Sequence, residues 1–99
     1  MKTKQRGADM EITEKVKIIN RLGFHLRAAA QFVKTSSKYK CRIIVRHRYQ
    51  DANGKSLLNL MALAAGYGAE LELIFEGEDA SDARDSLKSL VLSRFGEAE

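Results

Sequence analysis

Two histidines occur in this 99-residue chain, and one of them stands where its chemistry would be sharpened. His25 lies in Gly23-Phe24-His25-Leu26-Arg27, between a strand-like and a helix-like run. Before it, Lys15-Val16-Lys17-Ile18-Ile19 nearly alternates, as a half-buried strand does. After it, Leu26, Ala29, Ala30 and Val33 recur at helical spacing, with no breaker until Lys38. Gly23 permits a sharp turn, so His25 falls at the N-cap or in the first turn of the helix. First-turn N–H groups lack intrahelical partners and the positive end of the helix dipole faces outward, which makes such a terminus an anion site. The same field favours neutral imidazole, the nucleophilic form. Arg27 adds a fork-shaped donor suited to phosphate, and the backbone at Leu26, Arg27 and Ala28 would complete a phosphate cradle. Together these groups point to a histidine that carries a phosphoryl group. The plainer alternative is a polar cap or surface histidine, so the reading needs support from the rest of the chain.

Other reactive residue types give weaker signals. Gly54-Lys55-Ser56 resembles the end of a P-loop, but the required earlier glycine would fall at Tyr49, which excludes a nucleotide site of that kind. Ser56 instead follows the Asn53-Gly54 turn as the N-cap of a second helix. His47 has no second histidine or cysteine at ligand spacing, so no metal site is expected and no cofactor is implied. No nucleophile-elbow sequence supports a hydrolase. Cys41 is the single cysteine and cannot form an internal disulfide; in a strand it reads as a buried structural thiol, in keeping with a cytoplasmic protein.

The elements that must position His25 follow from periodicity. Cys41, Ile43 and Val45 face one way along a second strand, and a short third strand runs through Gln50–Ala52. A second helix follows Ser56, and Gly66 and Gly68 are expected to end it. Leu71, Leu73 and Phe75 alternate with Glu70, Glu72 and Glu76 in a fourth strand. Asp79 or Ser81 then caps a third helix, with Ala83, Leu87, Leu90 and Val91 on its apolar stripe. The order β-α-β-β-α-β-α predicts an α+β fold, helices covering one face of a mainly antiparallel sheet. At 11.1 kDa the chain fits one domain with a modest core. Residues 1–13 read as a flexible N-terminal tail and 14–99 as the domain. No apolar run approaches the roughly 20 residues that span a bilayer, and no secretory signal is read, so no membrane insertion is expected.

Net charge is +4, but the distribution is uneven. Lys34, Lys38, Lys40, Arg42, Arg46 and Arg48 crowd the first half, and Glu70, Glu72, Glu76, Glu78, Asp79, Asp82 and Asp85 the second. Such a split suits a basic face for an acidic protein partner at least as well as a nucleic-acid footprint.

With these residues in view, Gly23-Phe24-His25-Leu26-Arg27-Ala28-Ala29-Ala30-Gln31-Phe32-Val33 resembles the active-site signature of the histidine-containing phosphocarrier family, HPr. Lys55-Ser56-Leu57-Leu58 matches its second signature, and Gly77 its glycine before the last helix. The resemblance covers nearly the whole chain from about Thr13. It implies an open-faced β-sandwich with sheet order 1-4-2-3 and three helices on one face. It also implies a carrier, rather than a stand-alone enzyme, in phosphoenolpyruvate-dependent sugar uptake. The phosphoryl group would pass from Enzyme I to Nδ1 of His25, with Arg27 as partner arginine, and on to IIA domains. Ser56 is the position that a regulatory serine kinase modifies in some members. Two positions depart from the pattern: Leu26 replaces a small or polar residue and Ala28 a proline. These departures, with Asn20-Arg21-Leu22-Gly23, also resemble the nitrogen-related regulatory branch, which remains the alternative reading.

Docking would need apolar surface beside the basic groups. Leu60 and Leu63 are expected to face the core, while Leu57, Leu58 and Met61 join Leu26 in a partly exposed partner-binding patch ringed by Lys34 and other cations. A monomer is expected on this reading. The competitor from another class is a small RNA-binding α+β module, which would need stacking aromatics on exposed strands or a GxxG clamp. Strand aromatics are sparse and Gly66-Tyr67-Gly68 is one residue too short, so no nucleic-acid partner is expected.

Overall fold

The alternation seen in the fourth strand propagates through the whole sheet. In the computed structural model, which describes residues 10–99, the elements are β1 (Glu11–Lys17), α1 (Leu26–Ser36), β2 (Arg42–His47), β3 (Gln50–Asn53), α2 (Leu57–Ala62), β4 (Glu70–Glu76) and α3 (Ala80–Leu92), closed by a 3-10 turn at Arg94–Gly96. The strands form one antiparallel sheet in the order β1-β4-β2-β3. Val16, Ile43, Val45, Ala52, Leu71, Leu73 and Phe75 are buried on one face. On that face α3 packs on β1 and β4, α2 on β3, and α1 on both other helices. Ala83, Leu87 and Val91 of α3 are fully buried, and Leu90 packs partly against the core. Each large side chain buried there contributes about 1.5–3 kcal/mol of transfer free energy, so the two-residue period of β4 and the helical period of α3 fix their facing sides.

Several sequence expectations are corrected. The tail does not extend through residue 13: Glu11, Ile12 and Thr13 belong to β1, paired with Glu76, Phe75 and Ile74. Backbone pairing with β4 recruits them although their own pattern is weak. Residues 1–9 lie outside the described part of the chain. β1 ends at Lys17 rather than running through Ile19, and Ile18 continues by exchanging hydrogen bonds with the Gly68–Ala69 backbone. The apolar stripe of α1 is Ala28, Ala29, Phe32 and Ser36, whereas Ala30 is exposed and Leu26 is 58% exposed. Ser36 fits the core because its hydroxyl donates to the Gly54 carbonyl at 2.7 Å. α2 stops before its glycines, with Ala64 at φ +50 taking the left-handed turn.

Asp79 occupies the N-cap position of α3 but makes no side-chain cap bond there. Its carboxylate accepts from the N–H groups of Lys40 and Cys41 at 2.7 and 2.8 Å, fastening the start of β2 to the start of α3. The bond from Lys40 leads the effects that hold Asp79 below the usual carboxylate range, outweighing partial burial. Cys41 is buried, as expected, and burial followed by contact with Asp79 pushes its thiol up to about 11.

The split charge pattern is partly resolved by pairing β2 with β4. Arg42 meets Glu76 at 3.5 Å, and Arg46 meets Asp51 at 2.7 Å and Glu72 at 3.5 Å on the open sheet face. Residues far apart in the chain thus neutralise one another, and the basic first half is less of a face than its sequence implies.

Candidate functional site

Gly23 sets the entry to α1. It adopts φ +76, and a Cβ there would stand 2.9 Å from the Gly66 Cα, so both conformation and close approach require glycine. Phe24 follows, donating its N–H to the Ala65 carbonyl at 2.9 Å and burying its ring against Phe32 and Phe95. The chain from α2 therefore braces the turn that presents the histidine.

His25 is the N-cap of α1, with φ −81 and ψ −178. Its Nδ1 accepts from the Arg27 N–H at 3.3 Å, and its backbone carbonyl accepts from the Ala29 N–H at 2.8 Å. The Leu26 and Ala28 N–H groups have no intramolecular hydrogen bond among the described residues. These two donors and the Arg27 N–H lie in the first turn, where the helix dipole favours an anion. Leu26 extends its side chain to solvent while the Ala28 methyl is fully buried, so the pair contributes backbone to the site and its side chains serve different ends.

The second ring nitrogen has a partner that sequence reasoning missed. His25 Nε2 lies 2.5 Å from Glu97 Oε2. Arg27 Nη2 is 3.9 Å from the same oxygen, and the Asn20 amide donates to Glu97 Oε1 at 3.0 Å. Glu97 is held below the usual carboxylate range: burial pushes the other way, but the bonds from Asn20 and His25, and then Arg27, outweigh it. With Nδ1 accepting from a backbone N–H and Nε2 facing a carboxylate, the proton belongs on Nε2 and the Nδ1 lone pair is directed at the Arg27 N–H.

The segment that delivers Glu97 is bent sharply. Arg94, Phe95 and Gly96 all have positive φ, at 59, 54 and 81, and two of them carry side chains that make this conformation cost about 1–2 kcal/mol each. Burial of Phe95, stacked on Phe24 with centroids 5.6 Å apart, offsets that strain. Arg21 secures the end of the segment through its N–H to the Glu99 carbonyl and its guanidinium to the Glu99 carboxylate, each at 3.0 Å. Gly96 after an apolar residue was the one sequence signal of this reversal.

The remaining site residues are dispersed. Leu60 and Leu63 are buried, Leu57 and Met61 pack partly against the core, and Leu58 is 80% exposed. Lys34 stands in the last turn of α1, nine residues and so about 13 Å along the axis from His25. Ser56 caps α2, its Oγ accepting from the Asn59 N–H at 3.2 Å. Lys55 does not join a free basic rim, since its Nζ donates to the Tyr39 carbonyl at 2.6 Å. His47 Nδ1 lies 3.2 Å from the Leu63 carbonyl. Among the described residues no group of three or more His, Cys, Asp or Glu side chains is placed to hold a metal.

Comparison with known proteins agrees with this geometry. Residues 12–93 match the family model described as the PTS HPr component phosphorylation site. A phosphocarrier protein HPr of Pseudomonas aeruginosa is 44% identical over 91 residues, 91% of this chain and 97% of the relative. One from Neisseria meningitidis is 39% identical over 88 residues, covering 89% and 99%. Among solved structures, HPr-C-His from Thermoanaerobacter tengcongensis superposes with a TM-score of 0.83 at 37% identity, covering 91% of this chain and 99% of that one. HPr from Bacillus anthracis gives 0.80 at 28% identity, covering 84% and 99%.

Proposed function

The chain belongs to the HPr family of phosphocarriers of the phosphotransferase system, and from that premise we propose that Nδ1 of His25 is the atom that carries the phosphoryl group. The observation that supports this most directly is the hydrogen bond from Arg27 N–H to Nδ1 beside the Leu26 and Ala28 N–H groups, which are unpaired among the described residues. The Nδ1 lone pair releases its hydrogen bond from Arg27 N–H and attacks phosphorus in line as the bond to the donor breaks. The first-turn donors and Arg27 then stabilise the equatorial oxygens. Little other chemistry falls to this domain, because positioning and charge dominate phosphoryl transfer and the partner supplies the other half of the site.

Family membership implies partners of the Enzyme I and IIA kinds. Docking on them falls to the exposed side chains of Leu26 and Leu58, with Leu57 and Met61 at the margin and Lys34 supplying charge farther along α1. Ser56 is the candidate regulatory phosphorylation site. No helix among the described residues is long and apolar enough to cross a membrane, which fits a carrier working between other proteins. The nitrogen-related reading gains nothing from the relatives, which bear the name phosphocarrier protein HPr.

The test is acid-labile labelling from phosphoenolpyruvate and Enzyme I. His25→Ala loses all phosphate acceptance while losing about 1 kcal/mol of stability, the usual cost of a cap. Label retained in that variant would assign the carrier atom elsewhere.

A further inference from the structure

The carboxylate on the far side of the His25 ring has a role that phosphate binding at the helix terminus does not require. Glu97 Oε2 meets Nε2, the nitrogen that does not take the phosphoryl group. Its other oxygen is aimed by Asn20, whose side chain is fully buried and whose amide also donates to the Gly23 carbonyl at 2.7 Å. Both donors of one amide thus fix the turn that presents the histidine and the carboxylate that faces it. Asn20 Oδ1 has no hydrogen-bond partner among the described residues. A buried acceptor left unpaired opposes folding, so this amide is held for its donors.

We propose that Glu97, aimed by Asn20, keeps one proton on Nε2 of His25 through both halves of phosphoryl transfer, so that Nδ1 alone accepts and releases the group. The proposal rests on the reading of His25 as the carrier. Before transfer the ring is neutral, with hydrogen on Nε2 and a lone pair on Nδ1. When the lone pair forms the N–P bond and the donor's bond to phosphorus breaks, Nε2 keeps its hydrogen and the ring becomes cationic. Glu97 balances that new charge. When the N–P bond breaks toward the next acceptor, its electron pair returns to Nδ1 and the ring is neutral again. No proton moves in either direction. A cationic ring is the better leaving group, so the carboxylate keeps phospho-His25 ready to hand on its phosphate.

The charges around the ring support this role. From the C-terminal segment Glu97 is the group that touches it. From α1, Arg27 lies 3.9 Å from Glu97 rather than bonding the imidazole. Arg21, on the loop before α1, pairs with Glu99, and α2 carries no charged residue. Glu97 and Asn20 are therefore positioning residues, each acting through the histidine.

The experiment uses the full chain, phosphorylated by phosphoenolpyruvate and Enzyme I, with 15N and 31P resonances of phospho-His25 followed against pH. In the parent the Nε2 proton persists to higher pH than in Glu97→Gln, where the midpoint for its loss falls by about 1 pH unit. Above that midpoint the protonated fraction, and onward transfer to a IIA domain, fall roughly tenfold. Asn20→Ser moves the same midpoint in the same direction by a smaller amount. The two variants separate proton holding from folding, because thermal unfolding is read alongside. Phosphate on Nδ1 with a midpoint unchanged in Glu97→Gln overturns the proposal and leaves the carrier assignment standing. Variants that lose stability but keep the parent midpoint reduce both residues to a structural fastening and overturn it equally. Absence of phosphate from the parent His25 overturns instead the assignment on which the proposal rests.

Discussion

The N-termini of α1 and α2 are built from the same parts and differ in what surrounds them. Each has a polar side chain at the N-cap that accepts from its own first turn, His25 from Arg27 N–H at 3.3 Å and Ser56 from Asn59 N–H at 3.2 Å. At α1 the cap residue is gripped on its other side by a carboxylate from the end of the chain, and the helix behind it has 11 residues. At α2 the helix has six residues, and the adjacent Lys55 is tied to Tyr39. A cap accepting one hydrogen bond is ordinary secondary structure. Chemistry at such a position needs a second set of contacts that fixes proton, orientation and charge, and only α1 receives one. The α2 end contributes surface: Leu58 is 80% exposed in its first turn.

If this division holds, damage at α2 alters docking while leaving the chemistry intact. Leu58→Glu raises the KM for phosphoryl transfer about 10-fold, since a charge replaces an apolar contact, with kcat nearly unchanged. Thermal stability stays within about 0.5 kcal/mol, as usual for a surface substitution. A fall in kcat at saturating partner, measured by steady-state transfer from Enzyme I, would place the α2 surface within the reaction itself.

Ser56→Asp has a smaller effect of the same kind. An added negative charge is locally favourable at a helix N-terminus, by about 0.3–1 kcal/mol, yet it repels an acidic partner. Transfer from Enzyme I slows about threefold at low salt, and the difference shrinks as ionic strength shortens the Debye length. Equal rates for parent and variant across salt would leave Ser56 as a cap and nothing more.

The smallest effect belongs to α1. Ala28 N–H makes no hydrogen bond among the described residues, so it offers the phosphoryl group a donor that proline would lack. Ala28→Pro folds normally by circular dichroism and shortens the lifetime of phospho-His25 about twofold, water competing for most of the bond's worth. An unchanged lifetime in the folded variant would remove the amide from the phosphate cradle.

What could be read before folding was whatever depends on short stretches of chain. The alternation of Leu71, Leu73 and Phe75 gave β4, and the periodicity of Ala83, Leu87 and Val91 gave α3. The Gly23 turn followed by an Ala-rich run put His25 at a helix start, and Asn53-Gly54 put Ser56 at another. The α1 face was harder to read, because alanines on several sides of a helix look alike. Phe32 and Ser36 reach the core through contacts with Phe24 and Gly54 that helical spacing does not encode.

The sequence by itself therefore determined the order of elements, the sheet-facing residues and the presence of a histidine at a helix terminus. The tertiary structure alone decided how that histidine is held. Glu97 reaches His25 across 72 positions of chain; Gly96 beside it signals a reversal, but nothing in the sequence says that the reversal ends at His25. Their contact requires three successive left-handed residues, a phenylalanine buried against Phe24, and an arginine that ties down the end. Local propensity favours only Gly96 in this conformation; Arg94 and Phe95 take it where Phe95 packs against Phe24. A capped helix can be specified by neighbouring residues, whereas a carboxylate aimed at one nitrogen of an imidazole depends on where the far end of the chain comes to rest.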